Sequence, residues 1–195
     1  MSIKLNKGQK IVIEQTDFTI GLGWKPADGS NKPCDLDCSV FLLDGNKMIP
    51  TENHFVFYNN PKSPDNAVKH SGDDRTGAGS DNGDDEQITI NTALIDPSIQ
   101  ELLFVVSIDE AVARNQNFGQ VRNSYIRIVD NKNSDPATNE IAKYELDESF
   151  SVETSIEFGR LYKKDGVWKF DASGIGYKED LGYFVQKFYA GPVEK

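Results

Sequence analysis

Short runs of alternating apolar and polar residues, separated by turn residues, fill the first two thirds of the chain. This period of two is typical of half-buried β-strands. The almost uninterrupted apolar run from Leu102 to Val106 instead predicts a central strand covered on both faces. We therefore predict a mainly β fold, an antiparallel β-sandwich with a few short helices. The segments predicted as strands are IKLNKGQKIVIEQ (broken at Gly8), FTIGLGW, CDLDCSVFLL, NHFVFYNN, QITINTAL, ELLFVVSID, SYIRIVD, SVETSIEFGRLYKK and GVWKFDAS.

One hairpin is indicated by its turn residues. Asp165-Gly166 stands between the last two predicted strands. An Asp-Gly pair suits the two left-handed positions of a type I′ turn. The sequence therefore predicts that these two strands pair directly.

Three short helices are predicted. Asp96-Pro97-Ser98 favours one or two helical turns, because proline is preferred at the first helical position. The segment from Asp109 to Arg114 begins with an acid and continues with helix-forming residues. The segment from Lys178 to Tyr189 carries apolar residues at i, i+3, i+4 and i+7. We expect this C-terminal amphipathic helix to dock on the sandwich.

Both cysteines are predicted to be free thiols. Cys34 and Cys38 fall on the same face of one predicted strand, so their Cα atoms lie about 13 Å apart. A disulfide bridges Cα atoms separated by no more than ~7 Å. Two unpaired, inward-facing thiols are typical of a protein in a reducing compartment.

Composition and charge narrow the classes of function. The chain has 195 residues and a formal net charge of −10, which favours one domain over residues 1–195. This charge is opposite to the basic surface that a nucleic-acid binder needs, so nucleic acid is not an expected partner. No apolar stretch approaches the ~20 residues of a membrane-spanning helix, and no signal peptide is recognisable at the start. We expect a cytoplasmic protein.

An acidic segment interrupts the strand pattern. Residues 59–86 lack any period and are rich in Asn, Asp, Gly and Ser, which predicts a long loop. Its last 14 residues hold six acids and only one base. Such crowding is self-repulsive unless a cation neutralises it. The six acids are Asp73, Asp74, Asp81, Asp84, Asp85 and Glu86.

Calcium is the cation that this composition favours. It takes about six to eight oxygen ligands in flexible geometry, and glycines in the loop allow backbone carbonyls to turn inward. Zinc is disfavoured because His54 and His70 are the only histidines and no thiol spacing accompanies them. Asp35 and Asp37 share one face of their strand about 7 Å apart, close enough to contribute to the same ion or to a second one.

Other interpretations of these residues stay open. The acids could form a solvated loop and a solvent-facing strand edge. A metal-dependent phosphohydrolase could use His70 as a base beside the ion, although a solvated loop histidine is the simpler expectation. A calcium-bridged membrane-surface module has only Arg75 and Lys69 at the loop tip to support it. The chain carries none of the nucleophile-elbow, phosphate-loop or zinc-protease motifs, so catalysis is not expected.

Several motifs together resemble the TerD family of bacterial tellurium-resistance and general stress proteins. They follow one another in the family's order and spacing over nearly the whole chain. The motifs are TIGLGW, DLDCSVFLL, NNPKSPDNAVKHSGDDRTG followed by GDDE, ARNQNFGQVRNSYIRIVD and FGRLYKKDGVWKFDASGIGYKEDLGYFVQKFY.

The resemblance implies a β-sandwich that binds two adjacent calcium ions and has no enzymatic activity. It further implies a stress-response protein of the cytoplasm that can associate peripherally with membranes through a TerC-type integral partner. Asp109 stands where many members carry an aromatic residue or histidine, and it is an outside candidate only. The metal-ligand candidates that the family pattern carries over are Asp35, Asp37, Asp73, Asp74, Asp84, Asp85 and Glu86.

Overall fold

The computed structural model describes residues 2–26, 34–72, 83–146 and 150–191. Most of these residues lie in β-strands, as the alternation predicts. Single 3-10 turns cover Glu52–His54 and Phe118–Gln120. The strands and helices are β1 (Ile3–Leu5), β2 (Lys10–Val12), β3 (Asp17–Pro26), β4 (Leu36–Asp44), β5 (Phe55–Val56), β6 (Val68–His70), β7 (Glu86–Asn91), β8 (Ile99–Ile108), α1 (Ala111–Arg114), β9 (Val121–Asp130), β10 (Glu140–Glu145), β11 (Ser155–Lys164), β12 (Val167–Asp171), β13 (Ile175–Tyr177) and α2 (Leu181–Phe188).

The strands form two sheets that pack as a sandwich. The first sheet has the order β1-β10-β9-β3-β7-β6, and the second has the order β2-β12-β11-β8-β4-β5 with β13 also paired to β11. All pairs are antiparallel except β1 with β10. Gly8 has a φ of 78° in the turn that carries the chain from β1 in one sheet to β2 in the other. The predicted β-sandwich is confirmed.

Two apolar clusters hold these layers together. The larger lies between the sheets and includes Cys34 and Cys38, which are free and buried as predicted. The smaller lies between the second sheet and α2, where Phe41 and Leu103 pack against Phe184. Strand β8 contributes to both clusters, so the predicted strand covered on both faces is confirmed.

The predicted hairpin and two of the three predicted helices are present. Asp165 and Gly166 have φ angles of 54° and 79° and join β11 to β12. Helix α1 occupies the end of the predicted Asp109–Arg114 segment. Helix α2 begins at Leu181 rather than Lys178, because the Asp180 side chain accepts a hydrogen bond from the Tyr183 N–H and caps the helix there.

Two expectations about secondary structure are wrong. Asp96, Pro97 and Ser98 form a turn in which the Asp96 carboxylate accepts from the Ser98 N–H, and β8 starts at the next residue. Pairing of β8 with both β4 and β11 outweighs the local helical signal. The segment predicted as a continuous loop over residues 59–86 contains strand β6.

Replacement of Phe184 by alanine should lower the free energy of unfolding by about 3–5 kcal/mol, because it opens a cavity between α2 and the second sheet. Phe184 is fully buried, with its ring 6.4 Å from that of Phe41 and 5.0 Å from that of Tyr177. Urea denaturation measures the change. Gln186→Ala, at an exposed position of the same helix, is the control and should cost less than about 0.5 kcal/mol. Equal losses for the two variants would contradict this account of α2.

Candidate functional site

Asp35 and Asp37 lie at the start of β4, on the face opposite the inter-sheet core. Cys34, Leu36 and Cys38 belong to that core, so the strand alternation turns the two acids the other way. They are nonetheless buried, with 8% and 6% of their surfaces exposed. The solvent-facing strand edge considered from the sequence is therefore excluded for this pair.

The segment from Asp109 to Arg114 folds against this pair of acids. The Asp109 N–H donates to the Asp35 carbonyl at 2.9 Å. The Arg114 guanidinium lies 3.1 Å from an Asp109 carboxylate oxygen, 3.0 Å from one of Glu110 and 3.9 Å from one of Asp35. One cation is thus shared among three carboxylates.

Helix α1 is held at both ends by residues in the left-handed region. Glu110 precedes it with a φ of 48°, and Asn115 follows it with a φ of 54°. Such positions are strained for residues other than glycine and persist only where the surroundings fix them. The contacts of Arg114 with its neighbouring acids are among those that fix this turn.

The side chains of Glu86 and His70, which belong to the first sheet, hydrogen-bond to the backbone of Cys38 in the second sheet. The Cys38 N–H donates to Glu86 Oε2 at 2.6 Å, and His70 Nε2 lies 3.0 Å from the Cys38 carbonyl oxygen. His70 Nδ1 accepts from the Gly72 N–H at 3.0 Å, which places the ring proton on Nε2. Strand β5 pairs with β4 only at Val40 and Phe41. The Glu86 and His70 side chains therefore provide the hydrogen bonds that β5 does not supply to the N–H and carbonyl of Cys38.

This arrangement corrects the expectation for His70. The residue is 7% exposed and lies on β6, so it is not a solvated loop histidine. Both ring nitrogens are engaged in holding the backbone, which gives the imidazole a structural role. The alternation of Val68 and His70 as buried residues is the signal that sequence reasoning missed.

Two carboxylates also lie close to the Cys38 thiol. Burial raises the pKa of this thiol, and the negative charges of Glu86 and Asp37 raise it further. The structure thereby brings a strand residue and a residue of the GDDE motif to the same neighbourhood. The family resemblance implies a metal centre shared by the DLD strand and the GDDE motif, through Asp37 and Asp85, and that shared metal centre stays a prediction.

Asp85 has a different setting from its neighbour Glu86. Its N–H donates to the Leu22 carbonyl at 2.7 Å, and its carboxylate accepts from the Trp24 N–H at 2.9 Å. Asp85 therefore extends the pairing of β7 with β3 by side-chain as well as backbone contacts.

Asp84 faces outward from the first sheet and is held there by Arg127. The guanidinium Nε lies 2.7 Å from one carboxylate oxygen, and a terminal nitrogen lies 2.8 Å from the other. The Tyr125 hydroxyl donates to the same carboxylate at 3.1 Å. Burial and the charge of Asp84 both raise the pKa of Tyr125, which therefore stays protonated. Sequence reasoning missed Tyr125 and Arg127, although the inward positions of Ile126 and Ile128 place them on the outer face.

Gly21 and Gly23 make room for this contact. A Cβ at Gly21 would lie 2.3 Å from an Asp84 carboxylate oxygen, and one at Gly23 would lie 2.5 Å from the Tyr125 ring. The Gly-Leu-Gly segment lacks the third glycine of a nucleotide-binding fingerprint, and its structural role explains both glycines.

The candidate ligands therefore do not form one complete cluster in the described part of the chain. Asp73, Asp74 and Asp81 lie outside the described residues. Within the described ranges, no three His, Cys, Asp or Glu side chains are grouped so that they could hold a metal ion. Metal ligation by Asp35, Asp37, Asp73, Asp74, Asp84, Asp85 and Glu86 stays a prediction. Among the described helices, none is both long enough and apolar enough to cross a membrane.

Comparison with known proteins identifies relatives over most of the chain. The family model described as TerD domain matches residues 1–188. A tellurium resistance protein TerD from Alcaligenes sp. is 41% identical, with 93% of this chain and 94% of the relative covered. General stress protein 16U from Bacillus subtilis (strain 168) is 43% identical at the same coverages. A solved homologue of TerD from Streptomyces coelicolor A3(2) matches with a TM-score of 0.69 at 20% identity, covering 87% of this chain and 95% of that one, which supports the fold.

Truncation of Glu86 to alanine should lower the free energy of unfolding by about 1–3 kcal/mol, because the Cys38 N–H would lose its acceptor in a buried place. Glu86→Gln keeps an acceptor oxygen and should cost less. Urea denaturation of metal-free protein measures both. Thr89→Ala, at an exposed position of the same strand, is the control, and a Glu86→Ala loss no larger than the control loss would refute the structural role of Glu86.

Gly21→Ala should destabilise the protein by about 1–3 kcal/mol, because the new methyl group overlaps the Asp84 carboxylate. In an Asp84→Ala background the same substitution should cost much less, giving a coupling of about 0.5–3 kcal/mol in a double-mutant cycle. Gly45→Ala is the matched control, since a Cβ there meets no atom within 4 Å. Additive effects of Gly21→Ala and Asp84→Ala would contradict the close approach.

Proposed function

The chain belongs to the TerD family of tellurium-resistance and general stress proteins, and on this premise we propose that it binds calcium and acts through metal-dependent binding rather than catalysis. The observation that carries the proposal is the burial of Asp35 and Asp37 beside Asp109. Buried carboxylates need a compensating positive charge. A divalent cation at this end of the sandwich would add its charge to that of Arg114, which lies 3.9 Å from Asp35.

The chemistry of the donor set fits calcium better than other metals. Asp35, Asp37 and Glu86 offer carboxylate oxygens, the ligand type that calcium prefers. The buried thiols have raised pKa values, chiefly through burial, which disfavours the thiolate that zinc would require. When bound, the ion would supply positive charge and order its ligands.

The roles of the acids differ within the proposal. Asp35 and Asp37 would contact the ion directly, and Glu86 would hold the end of the acidic segment close to β4 through Cys38. Asp73 and Asp74 remain ligand candidates on the strength of the sequence alone. Asp84 already neutralises Arg127, so it would anchor the segment rather than coordinate the ion.

The contacts of His70 favour binding rather than catalysis as the function of this region. His70, the candidate base of a hydrolase, uses both ring nitrogens to hold backbone groups. A base must reach the proton that it abstracts, and His70 is 7% exposed. A TerC-type partner and a cytoplasmic location stay predictions of the family resemblance.

Calcium titration of the whole chain by calorimetry tests the proposal, with magnesium as the metal control. Calcium should bind, and at 100 times Kd it should stabilise the fold by about 2.7 kcal/mol per site, seen as a higher melting temperature. Asp37→Asn should weaken calcium binding at least tenfold, because the amide keeps the size but removes the charge. Asp44→Asn, at the opposite end of β4, is the matched control and should leave binding unchanged.

Two results would overturn the proposal. One is a calorimetric titration that shows no heat of calcium binding, together with an unchanged melting temperature. The other is calcium binding by the wild type that Asp37→Asn leaves intact while circular dichroism shows both folded.

A further inference from the structure

A cleft of about 470 Å³ lies on the outer face of the first sheet. Its lining includes Lys25, Asn123, Ser124, Tyr125 and Lys143. Strands β3, β9 and β10 form this face, and Gly23 leaves room beside Tyr125. None of the residues that line it is among those proposed to contact calcium, although Tyr125 donates to Asp84.

A row of three cations crosses the sheet at the edge of the cleft. Lys4 is the register partner of Lys143, and Lys143 is the register partner of Arg127. Like charges directly opposite each other on neighbouring strands are destabilising unless they are compensated.

Carboxylates compensate the two outer members of this row. A Glu145 carboxylate oxygen lies 2.7 Å from the Lys4 ammonium. The Asp84 carboxylate accepts hydrogen bonds from two nitrogens of the Arg127 guanidinium. Lys143 has no carboxylate within 4 Å among the described residues, and its ammonium instead lies 4.0 Å from the centroid of the Tyr125 ring. Lys143 therefore brings to the cleft a positive charge that no acid of the described chain pairs with.

Lys25 adds a second positive charge to the same cleft. It is exposed and forms no salt bridge in the part of the chain that the structure describes. Glu145 is the one acid in the lining, and its carboxylate is engaged by Lys4. The cleft thus presents two ammonium groups against one carboxylate that is already paired.

Irregular backbone marks the same place. The register between β3 and β9 shifts so that Asn123 and Ser124 stand opposite Trp24 as a bulge, and Asn123 has a φ of 52°. Bulges and strained non-glycine residues are frequent beside binding sites.

We propose that this cleft binds an oxyanion, either as a free ion or as the anionic group of a small molecule. Lys143 and Lys25 supply point charges for oxygen atoms, and the exposed Asn123 amide offers two further N–H donors. The volume of the cleft exceeds that of a bare ion, so an esterified anion also fits. This site would share no lining residue with the residues proposed to contact calcium.

Amide chemical shifts of isotope-labelled whole protein test the proposal. The titrants are inorganic phosphate, tellurite and glycerol 3-phosphate, with glycerol as the uncharged control, at constant ionic strength so that screening does not change. Protein and buffers are first passed over a chelating resin, which keeps calcium out of the measurement. Saturable shifts are expected at Asn123, Ser124, Tyr125 and Lys143 for at least one anion.

Lys143→Gln and Lys25→Gln should each weaken this binding by about tenfold, because each removes one of two charges. Lys163→Gln is the matched control, since the Lys163 ammonium lies over the Trp168 ring at 5.9 Å on the other sheet. Tighter binding of glycerol 3-phosphate than of inorganic phosphate would identify an esterified ligand, and the reverse would identify a free ion.

The proposal is overturned if none of the three anions gives saturable shifts in the cleft. It is equally overturned if the shifts persist in both lysine variants with their dispersed spectra intact. Because the experiment is free of calcium, its failure would leave the calcium proposal standing, and a failed calcium titration would leave this site standing.

Discussion

The packing of the two sheets at one end of the sandwich depends on hydrogen bonds to the backbone of Cys38. Strand β5 covers only two residues of β4, so the buried Cys38 N–H and carbonyl need partners from elsewhere, since unpaired buried backbone groups are costly. Glu86 and His70 reach across from the other sheet to provide them. This contact joins residues 48 positions apart in the chain. It holds the start of β7 at the end of the sandwich where Asp37 lies.

The three acids of the GDDE motif do not act as one cluster. Strand β7 begins at Glu86, whose side chain turns inward with Ile88 and Ile90. Asp84 precedes the strand and turns to the outer face, where Arg127 neutralises it and Gly21 leaves the space. Asp85 lies between them and accepts from the Trp24 backbone. The three acids of the motif therefore hold the end of the acidic segment against both faces of the first sheet. This structural role accounts for the acids of the motif without a bound metal.

Two groups of charged residues lie on different sheets. The buried Asp35 and Asp37 lie at the start of β4, where Arg114 is shared by Asp35 and the more exposed Asp109 and Glu110. Lysines and Arg127 collect on the outer face of the first sheet, where acids compensate some of them and leave Lys143 over an aromatic ring. Because these charges lie on different surfaces, the proposed cation site and the proposed anion site would not neutralise each other at short range.

The sequence by itself determined the sandwich, the Asp165-Gly166 hairpin, the free thiols and helix α2, because each follows from a local period or turn preference. Through resemblance to the family it also implied a metal centre shared by Asp37 and Asp85, which stays a prediction. Only the tertiary structure decided the burial of His70, the engagement of Asp84 by Arg127 and the strand after Asp96, where pairing with two neighbouring strands overrode a helical signal. These outcomes depend on contacts between residues far apart in the chain, and the free energy of satisfying buried polar groups there exceeds the local preferences that a sequence pattern can reveal.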